Sequence, residues 1–410
     1  MNSFLSKFIS AYRKSYSSNH VLLRLIENWK KCLDEKKFVG AVLMDLSKAF
    51  DSIPHDLLIA KMYAYGFSID AVTFFYSYLK RRNQSVKINN THSVFQILLS
   101  GVPQGSILGP LLFNIFINDL YLWITKTDLL NFADDNTISA AGKTIEDLIL
   151  TLETDSQKAI EWFKLNEMIV NPDKFQAIIV KKNTNIKDSY PLKINDQIIN
   201  SESSVKLLGI EIDNKLSFDK HISTLCKKAS NQLNAIGRIQ NYMGFKEKEV
   251  LINSFVYSNF NYCPLVWHFC SSKSLNKIEK IQERALRLLH NDFVNDYSRL
   301  LEKSGKSTMT IKRLRCLALE IFKTLNDQNP NYMKEIFSRN TNHTHRPLDI
   351  KVNYKNTTKF GINSLRSLGP HIWNSLPKFV KEETNFEKFK EFINDWFGLK
   401  CKCNMCKFFQ

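Results

Sequence analysis

The stretch of sequence that decides the fold is Leu129-Leu-Asn-Phe-Ala-Asp-Asp-Asn-Thr-Ile-Ser-Ala140. Its apolar flanks predict two short β-strands, and the polar residues Asp134-Asp-Asn136 between them are typical of a hairpin turn. Adjacent carboxylates repel each other, so such a pair is stable only where it faces solvent or where a divalent cation neutralises it. An exposed polar turn is the simpler explanation of these residues when they are taken alone.

Working outward, a further acid lies at the end of another predicted strand. The apolar run Val39-Gly-Ala-Val-Leu-Met44 predicts a buried strand, and Asp45 follows it directly. Carboxylates at neighbouring strand ends could together hold two Mg²⁺ ions about 4 Å apart, which is the arrangement for in-line phosphoryl transfer. Because Mg²⁺ is usually bound by a few carboxylates together with substrate phosphates, we expect a nucleotide substrate.

The first half of the chain alternates between helical and strand patterns. Proline near the start and glycine after the end of an apolar pattern punctuate a helix, and Ser68 and Thr144 are suitable N-terminal caps. Asp51 is expected to cap the helix that follows it. This mixture predicts an α+β domain over residues 1–213. The predicted elements are helices over residues 54–66, 69–82, 105–123 and 144–168, a hairpin over 84–99, and strands over 175–180 and 205–212.

The positive charge is concentrated in the second half. The chain has 410 residues and a net charge of +17, of which residues 1–213 carry +1 and residues 214–410 carry +16. Helical periodicity over residues 219–243, 246–258 and 274–290 comes with basic polar faces. This favours a polyanionic partner, nucleic acid above all, and an ordinary lysine-rich surface is the alternative. The cations proposed for phosphate contacts are Lys227, Lys228, Arg238, Arg284, Arg287, Lys312, Arg313 and Arg315.

Composition and run lengths exclude several classes of protein. With 44% hydrophobic and 24% charged residues, the chain as a whole is neither disordered nor collagen-like. The longest apolar stretch, residues 107–117, is interrupted by Pro110 and Asn114 and is far shorter than the run of about 20 residues that spans a bilayer. A secretory signal is also lacking, so we expect an intracellular protein of the nucleus or cytoplasm with no membrane partner.

Five segments in a fixed order carry a family resemblance. Together they resemble the palm motifs and the primer-grip motif of the reverse transcriptases of non-LTR retrotransposons, of the Jockey-like kind. Five such motifs in order are much stronger evidence than a single Asp-Asp pair. The segments are Ala41-Val-Leu-Met-Asp-Leu-Ser-Lys-Ala-Phe-Asp51, Gly101-Val-Pro-Gln-Gly-Ser-Ile-Leu-Gly-Pro-Leu-Leu-Phe113, Phe132-Ala-Asp-Asp135, Asn171-Pro-Asp-Lys174 and Val205-Lys-Leu-Leu-Gly-Ile210.

The resemblance implies a role for each matching residue. Asp45, Asp134 and Asp135 would be the catalytic carboxylates that bind two Mg²⁺ ions, with Mn²⁺ as the alternative ion. Lys174 would stabilise or protonate the leaving pyrophosphate. Phe50 would be the steric gate that excludes a ribose 2′-hydroxyl. The remaining implied contacts are nucleotide binding by Leu46, Gln104, Gly105 and Arg13, and primer grip by Leu208 and Gly209.

The same resemblance implies a right-hand polymerase. Residues 1–213 would form the palm with partial fingers, residues 214–330 an α-helical thumb-like region, and residues 331–410 a basic C-terminal extension. The tail of this extension supplies three clustered cysteines where a structural zinc site needs four protein ligands. We therefore expect these cysteines to be unligated: Cys401, Cys403 and Cys406.

The implied activity is RNA-directed DNA polymerisation. A DNA primer 3′-hydroxyl attacks a dNTP on an RNA template, and an RNA–DNA duplex results. Family members carry further fingers sequence and an endonuclease domain before the segment that resembles residues 9–20, so we expect this chain to be N-terminally truncated. A truncated copy that binds nucleic acid without polymerising is therefore the alternative. A two-metal nuclease is disfavoured because Gln104 and the primer-grip segment would have no role in it.

Overall fold

The computed structural model describes residues 4–180, 189–339, 348–352 and 358–396. These residues form two compact units. The first unit joins the residues up to Ser18 with residues 37–203, and the second joins residues 19–36 with those from Ser204 onward. Helices and strands are mixed along the chain, which confirms the predicted α+β class. The assignment of palm, fingers, thumb and extension to residues 1–213, 214–330 and 331–410 stays a prediction.

Fifteen helices and twelve strands lie within the described residues. The helices are α1 (Ser18–Asp34), α2 (His55–Ala64), α3 (Ile69–Leu79), α4 (Leu108–Phe116), α5 (Ile145–Leu165), α6 (Asp219–Ile239), α7 (Phe245–Leu251), α8 (Ser258–Asn261), α9 (Ser272–His290), α10 (Tyr297–Ser304), α11 (Met309–Leu325), α12 (Lys359–Ile362), α13 (Leu365–Asn374), α14 (Lys378–Glu382) and α15 (Phe386–Trp396). The strands are β1 (Phe38–Met44), β2 (Asn83–Gln84), β3 (Lys87–Ile88), β4 (Thr91–His92), β5 (Gln96–Ile97), β6 (Asp128–Phe132), β7 (Asp135–Gly142), β8 (Gln176–Val180), β9 (Pro191–Ile194), β10 (Gln197–Asn200), β11 (Ser204–Leu207) and β12 (Ile210–Asp213).

A four-stranded antiparallel sheet organises the first unit. Its strand order is β6-β7-β1-β8, so that β1 is flanked on both sides and is apolar along nearly its whole length. Helix α5 packs against β7 and β1. Its buried residues Leu148, Leu152 and Phe163 join Val42 and Ile138 in one hydrophobic core. The sheet is therefore fixed from one face by α5, while its strand ends are left to form the site.

Most of the local signals in the first half are confirmed. Strand β1 occupies the apolar run before Asp45, and α2 begins directly after Pro54. Ser68 caps α3 through a hydrogen bond from the Ala71 amide at 3.4 Å. Thr144 caps α5 through a hydrogen bond from the Asp147 amide at 3.1 Å. Short side-chain acceptors at these positions satisfy backbone donors that the helix itself leaves unpaired.

Three predicted elements need correction. The helix expected over residues 105–123 is the shorter α4, which is followed by a 3-10 turn at Leu120–Leu122. The hairpin tip is Ala133-Asp134, since Asp135 and Asn136 already belong to β7. The single strand expected over 205–212 is a hairpin of β11 and β12. Its turn is made by Leu208 and Gly209, both with positive φ, which is the conformation that two-residue hairpin loops require.

The second unit is mainly helical. The predicted helices over residues 219–243 and 274–290 are α6 and α9, which pack against each other. The prediction over 246–258 is also confirmed: α7 continues into a π-helical stretch at Ile252–Tyr257. Helix α11 packs against α13 and α15. Among the described residues, the structure contains no helix with the length and apolarity needed to cross a membrane.

Gly101 is required by a close backbone approach, and this can be tested against a second glycine. Its φ is +85°, and a Cβ there would lie 2.8 Å from the Asp51 carbonyl oxygen. Gly66 has a similar φ of +82°, but among the described atoms a Cβ there would meet open space. We expect Gly101→Ala to destabilise the chain by about 2 kcal/mol or more, and Gly66→Ala by about 1 kcal/mol. Equal shifts of the urea midpoint for the two variants would contradict the close approach.

Candidate active site

Strand register brings the predicted carboxylates to one edge of the sheet. Strand β1 ends at Met44, which pairs with Asn136 of β7. Asp45 therefore follows at the edge where the β6–β7 hairpin turns. Asp134 lies in the two-residue loop of that hairpin and Asp135 begins β7. Residues separated by about ninety positions in the sequence are neighbours because antiparallel pairing fixes their register.

The carboxylates at this edge interact electrostatically. Loss of solvent around its carboxyl group, followed by the negative charges of Asp134 and Asp45, raises the pKa of Asp135. The ionisation of Asp135 is thus opposed by two neighbouring carboxylates. Together the three form a ligand set whose negative charge a divalent cation would neutralise. The residues therefore fit a metal in their chemistry. As they stand, however, no three His, Cys, Asp or Glu side chains of the described residues are grouped closely enough to share an ion.

A lysine ammonium forms an ion pair with Asp45, the first of these carboxylates. The Lys174 Nζ atom lies 3.0 Å from Asp45 Oδ2. Backbone pairing puts it there: the Ser47 amide donates to the Ile169 carbonyl at 2.9 Å, and the Asn171 amide donates to the Asp45 carbonyl at 3.4 Å. Both charged side chains are well exposed, so solvent screens the pair and it contributes little to stability. The pair is of interest because it places the Lys174 ammonium beside Asp45.

Two buried asparagines hold the hairpin tip. Asn131 Nδ2 donates to Asn136 Oδ1 at 2.7 Å and to the Ala133 carbonyl at 3.1 Å. Asn136 Nδ2 donates to the Asp134 carbonyl at 3.0 Å. These bonds span a turn in which Ala133 has a φ of +57°, a conformation that a non-glycine residue adopts at a cost of about 1–2 kcal/mol. Sequence analysis missed this role, although polar amides inside otherwise apolar strands were a signal for it.

Phe50 lies at the end of the segment that begins with Asp45. It is half-buried and stacks on Phe113 of α4, with ring centroids 4.5 Å apart and an interplanar angle of 24°. Tyr12 meets the same ring edge-on at 6.4 Å. The ring is therefore fixed by packing and keeps part of its surface exposed. Leu46, also predicted for the site, is buried and pairs through its backbone with Val170.

Gln104 and Gly105 are both exposed, and Gln104 is already engaged. Its Nε2 atom donates to both carboxylate oxygens of Asp51, at 2.9 and 3.1 Å. The prediction that Asp51 caps the following helix is wrong: Pro54 precedes α2, and within the described residues no side chain caps that helix end. Gly105 has a φ of +79° and open space around it. Asp51 therefore orients Gln104, and the backbone at Gly105 is accessible.

A second polar link joins the same two segments. The His55 ring donates from Nε2 to the Gly101 carbonyl at 2.7 Å. The Val102 amide donates to the Phe50 carbonyl at 2.9 Å. Because Gly101 lies against the backbone of Asp51, these bonds close a continuous seam between the segment after β1 and the segment before α4. The sequence offered no partner for His55, since its partner is a backbone atom 46 residues away.

Arg13 braces the N-terminal segment. It is buried, and its Nη1 atom donates to the Ser6 carbonyl at 2.7 Å and the Ile9 carbonyl at 2.8 Å. Its guanidinium also packs over the Tyr16 ring at 4.2 Å. The structure therefore places Arg13 among backbone carbonyls of its own loop. Its predicted contact with template or triphosphate stays a prediction.

The predicted primer-grip residues belong to the second unit. Leu208 and Gly209 form the turn between β11 and β12. Tyr262 donates its hydroxyl hydrogen to the Leu208 carbonyl at 2.7 Å. A Cβ at Gly209 would lie 3.4 Å from the same tyrosine ring. Tyr262 is thus a support of this turn that sequence analysis did not identify.

One of the basic residues proposed for phosphate contacts is not available for such a contact. Arg313 is buried and packs over the Trp267 ring at 5.1 Å, so its assignment to a phosphate-binding surface is wrong. An apolar environment around a guanidinium favours such stacking over phosphate contact.

The three clustered cysteines lie outside the described residues: Cys401, Cys403 and Cys406.

The asparagine brace makes a prediction about stability. Asn136→Ala removes the bond to the Asp134 carbonyl and one acceptor of Asn131 Nδ2. We expect a loss of about 1–3 kcal/mol in the free energy of unfolding, because a buried donor loses a partner. Asn200→Ala is the matched control, since its side chain is exposed on β10. A urea denaturation curve for Asn136→Ala that matches the control would contradict the brace.

Comparisons with known proteins agree with the site. The family model described as "Reverse transcriptase (RNA-dependent DNA polymerase)" matches residues 1–212. The chain is 28% identical over 295 residues to a probable RNA-directed DNA polymerase from transposon BS of Drosophila melanogaster, covering 68% of this chain and 32% of that protein. It is 23% identical over 333 residues to the RNA-directed DNA polymerase from mobile element jockey of the same species, covering 78% and 36%. The chain thus spans about a third of the length of these curated relatives.

Similarity to solved structures is weaker. The chain is similar to apo telomerase from Candida Tropicalis with a TM-score of 0.42 and 13% identity, over 75% of this chain and 49% of that one. That TM-score is too low for a comparison of folds. The family model, by contrast, covers more than half of the chain and contains the clustered carboxylates and Lys174. The chain therefore belongs to the reverse transcriptase family, where its motifs and relatives group it with the reverse transcriptases of jockey-like non-LTR retrotransposons.

Proposed function

We propose that this chain is an RNA-directed DNA polymerase that extends a DNA primer on an RNA template. The observation that carries the proposal is the convergence of Asp45, Asp134 and Asp135 at one edge of the sheet, where burial, followed by the charges of the other two carboxylates, raises the pKa of Asp135. Such a site is tuned for a divalent cation and a polyphosphate substrate. The names of the jockey and transposon BS relatives, which are RNA-directed DNA polymerases, support the same activity.

The carboxylates would hold two Mg²⁺ ions, with Mn²⁺ as the alternative. Asp45 and Asp134 would be the principal ligands, and Asp135 and the Leu46 carbonyl would complete the set. When bound, the ions would activate the primer 3′-hydroxyl and stabilise the charge on the leaving pyrophosphate. Arrival of a cation at Asp45 would free Lys174, whose ammonium could then meet the oxygens of the triphosphate.

The neighbouring residues would select and orient the dNTP. Phe50 is held against Phe113, so its ring cannot swing aside to admit a 2′-hydroxyl. Gln104 is oriented by Asp51 and is exposed, so its amide oxygen remains available as an acceptor. At Gly105 the absence of a side chain would let the backbone approach the sugar.

The nucleic acid would be gripped by the second unit. Residues 1–213 would serve as palm with partial fingers, residues 214–330 as a helical thumb-like region, and residues 331–410 as the basic C-terminal extension. Leu208 and Gly209 would contact the primer backbone from a turn that Tyr262 holds. Because residues 214–410 carry a net charge of +16, an RNA–DNA duplex would bind mainly through phosphate contacts, and its affinity would fall steeply with salt.

The activity is tested by primer extension. The chain should incorporate labelled dNTPs on an RNA template with an annealed DNA primer in Mg²⁺. Asp134→Ala should reduce the rate by about a thousand-fold or more, because metal-bound charge stabilisation contributes several kcal/mol. Asp70→Ala is the matched control, since Asp70 is an exposed acid in the first turn of α3.

The outcome also separates the enzyme from a copy that only binds. Equal incorporation by Asp134→Ala and the unchanged chain would reject this catalytic site. No incorporation by the unchanged chain, together with salt-dependent binding of the template–primer duplex, would favour the binding-only alternative. Incorporation that Asp70→Ala abolishes equally would show a general loss of folding rather than loss of a ligand.

The Lys174–Asp45 pair predicts an opposite effect on metal binding. In the absence of nucleotide, Lys174 competes with a cation for Asp45. We expect Lys174→Ala to bind Mn²⁺ about two- to five-fold more tightly in a spectroscopic titration, since an exposed ion pair is worth at most about 1 kcal/mol. Lys193→Ala, which removes a similar exposed pair with Asp196, should leave Mn²⁺ affinity unchanged. Weaker Mn²⁺ binding by Lys174→Ala would contradict the competition.

A further inference from the structure

We infer that a pocket on the second unit binds one unpaired nucleotide of a single-stranded nucleic acid, with arginines on its phosphate and Phe293 against its base. We call it the arginine pocket and define it by Arg238, Arg284, Arg287 and Phe293. The inference deepens the proposed function, because it adds a subsite for single-stranded template or primer to the nucleic-acid surface. It does not depend on polymerisation.

The pocket has the size of a ligand site. It lies between α6 and α9 and has a volume of about 360 Å³. Ligand pockets in proteins fall in the range of about 300–1,000 Å³. Gly237 contributes no side chain to its wall, which leaves the space between the two helices open. The volume of the pocket is therefore compatible with a ligand of nucleotide size.

Unused guanidinium donors line this space. The Arg287 Nη1 atom is buried and has no hydrogen-bond partner among the described residues, although Nε and Nη2 of the same side chain donate to Glu283. The Arg238 side chain makes no hydrogen bond or ion pair within the described part of the chain. A buried N–H without an acceptor is unfavourable, so the pocket gains by accepting an oxygen-rich anion. Phosphate is the ligand whose geometry matches a guanidinium.

Arg284 is pre-organised on the same wall. Its Nη1 atom donates to Ser230 at 3.1 Å and its Nη2 atom to Asn234 at 3.0 Å, both on α6. These bonds fix the guanidinium between the two helices, and no acid of the described residues forms an ion pair with it. The two helices together carry nine lysines and arginines against three acids, so the surroundings also favour an anion.

Phe293 adds an aromatic ring to the pocket, which a site for a simple anion would not need. Its ring is 68% exposed at the rim of the pocket, an unfavourable position for an aromatic side chain. The loop that carries it is ordered, because Asp292 accepts from the Val294 and Asn295 amides at 3.3 and 3.1 Å. An exposed ring beside phosphate donors is the arrangement with which proteins stack an unpaired base. A duplex offers no such base, and an acidic peptide would leave the ring unused.

The experiment measures binding of a labelled single-stranded oligouridylate of 12 nucleotides to the full chain in EDTA. We expect Phe293→Ala to weaken binding by about five-fold or more, because stacking on an aromatic ring contributes about 1–3 kcal/mol per base. Phe293→Tyr should retain affinity. Val294→Ala is the matched control, since Val294 is the adjacent residue, is 96% exposed and does not line the pocket.

The phosphate half of the site is tested by salt dependence. Arg238→Ala should weaken binding and reduce the slope of log affinity against log salt by about 0.7, the value for one phosphate contact to a single strand. Lys273→Ala is the control for a general charge effect, since Lys273 is exposed on α9 outside the pocket. An oligonucleotide with 4-thiouridine should cross-link, on irradiation, to the peptide that contains Phe293.

Several results would overturn the inference. They are unchanged binding by Phe293→Ala, equal losses for Arg238→Ala and Lys273→Ala, and tighter binding of a duplex than of the single strand at this site. Displacement of the oligonucleotide by inorganic phosphate, free UMP or an acidic peptide at similar concentrations would assign the pocket to that ligand instead. Asp134→Ala should bind the oligonucleotide as the unchanged chain does, so a failure of polymerisation and a failure of this pocket are distinguished.

Discussion

The repulsion between carboxylates at the edge of the central sheet is the interaction on which the rest of the first unit depends. Antiparallel register brings Asp45 beside the hairpin that carries Asp134 and Asp135, and burial, followed by the charges of Asp134 and Asp45, raises the pKa of Asp135. The neighbouring structure opposes this repulsion. Lys174 neutralises Asp45, and the buried amides of Asn131 and Asn136 hold the turn. The site is thus assembled at a cost that a bound cation and polyphosphate would offset.

Sequence patterns were sufficient for the parts of the fold that local physics decides. The buried strand before Asp45, the caps at Ser68 and Thr144, and the helices α6 and α9 all follow from periodicity and from the backbone donors at helix ends. The turn at Leu208-Gly209 was missed because apolar residues on both sides continue the same pattern through it. The strand is interrupted only by the positive φ of both residues. This conformation is the one that the twist of a hairpin requires in its two-residue loop.

The supporting contacts of the site could not be read from the sequence, because each joins positions that are distant in the chain, and two of them use backbone atoms that every residue has. His55 binds a backbone carbonyl, Gly101 is needed only because Asp51 passes against it, and Asp51 orients Gln104 rather than capping a helix. Charge composition likewise describes the second half of the chain as a whole and not its individual residues. It indicated a polyanion partner but could not separate Arg313, which is buried on Trp267, from the arginines that line a pocket.

The central claim is that Asp45, Asp134 and Asp135 would hold divalent cations that assist phosphoryl transfer from the incoming dNTP. It is tested most directly by primer extension on an RNA template with single stereoisomers of dNTPs that carry sulfur on the α-phosphate. Sulfur is a poor ligand for Mg²⁺ and a better one for Mn²⁺. The account predicts that one isomer is slowed strongly in Mg²⁺ and recovers in Mn²⁺. Equal rates of both isomers in the two ions would contradict it, because no metal would then bind the reacting phosphate.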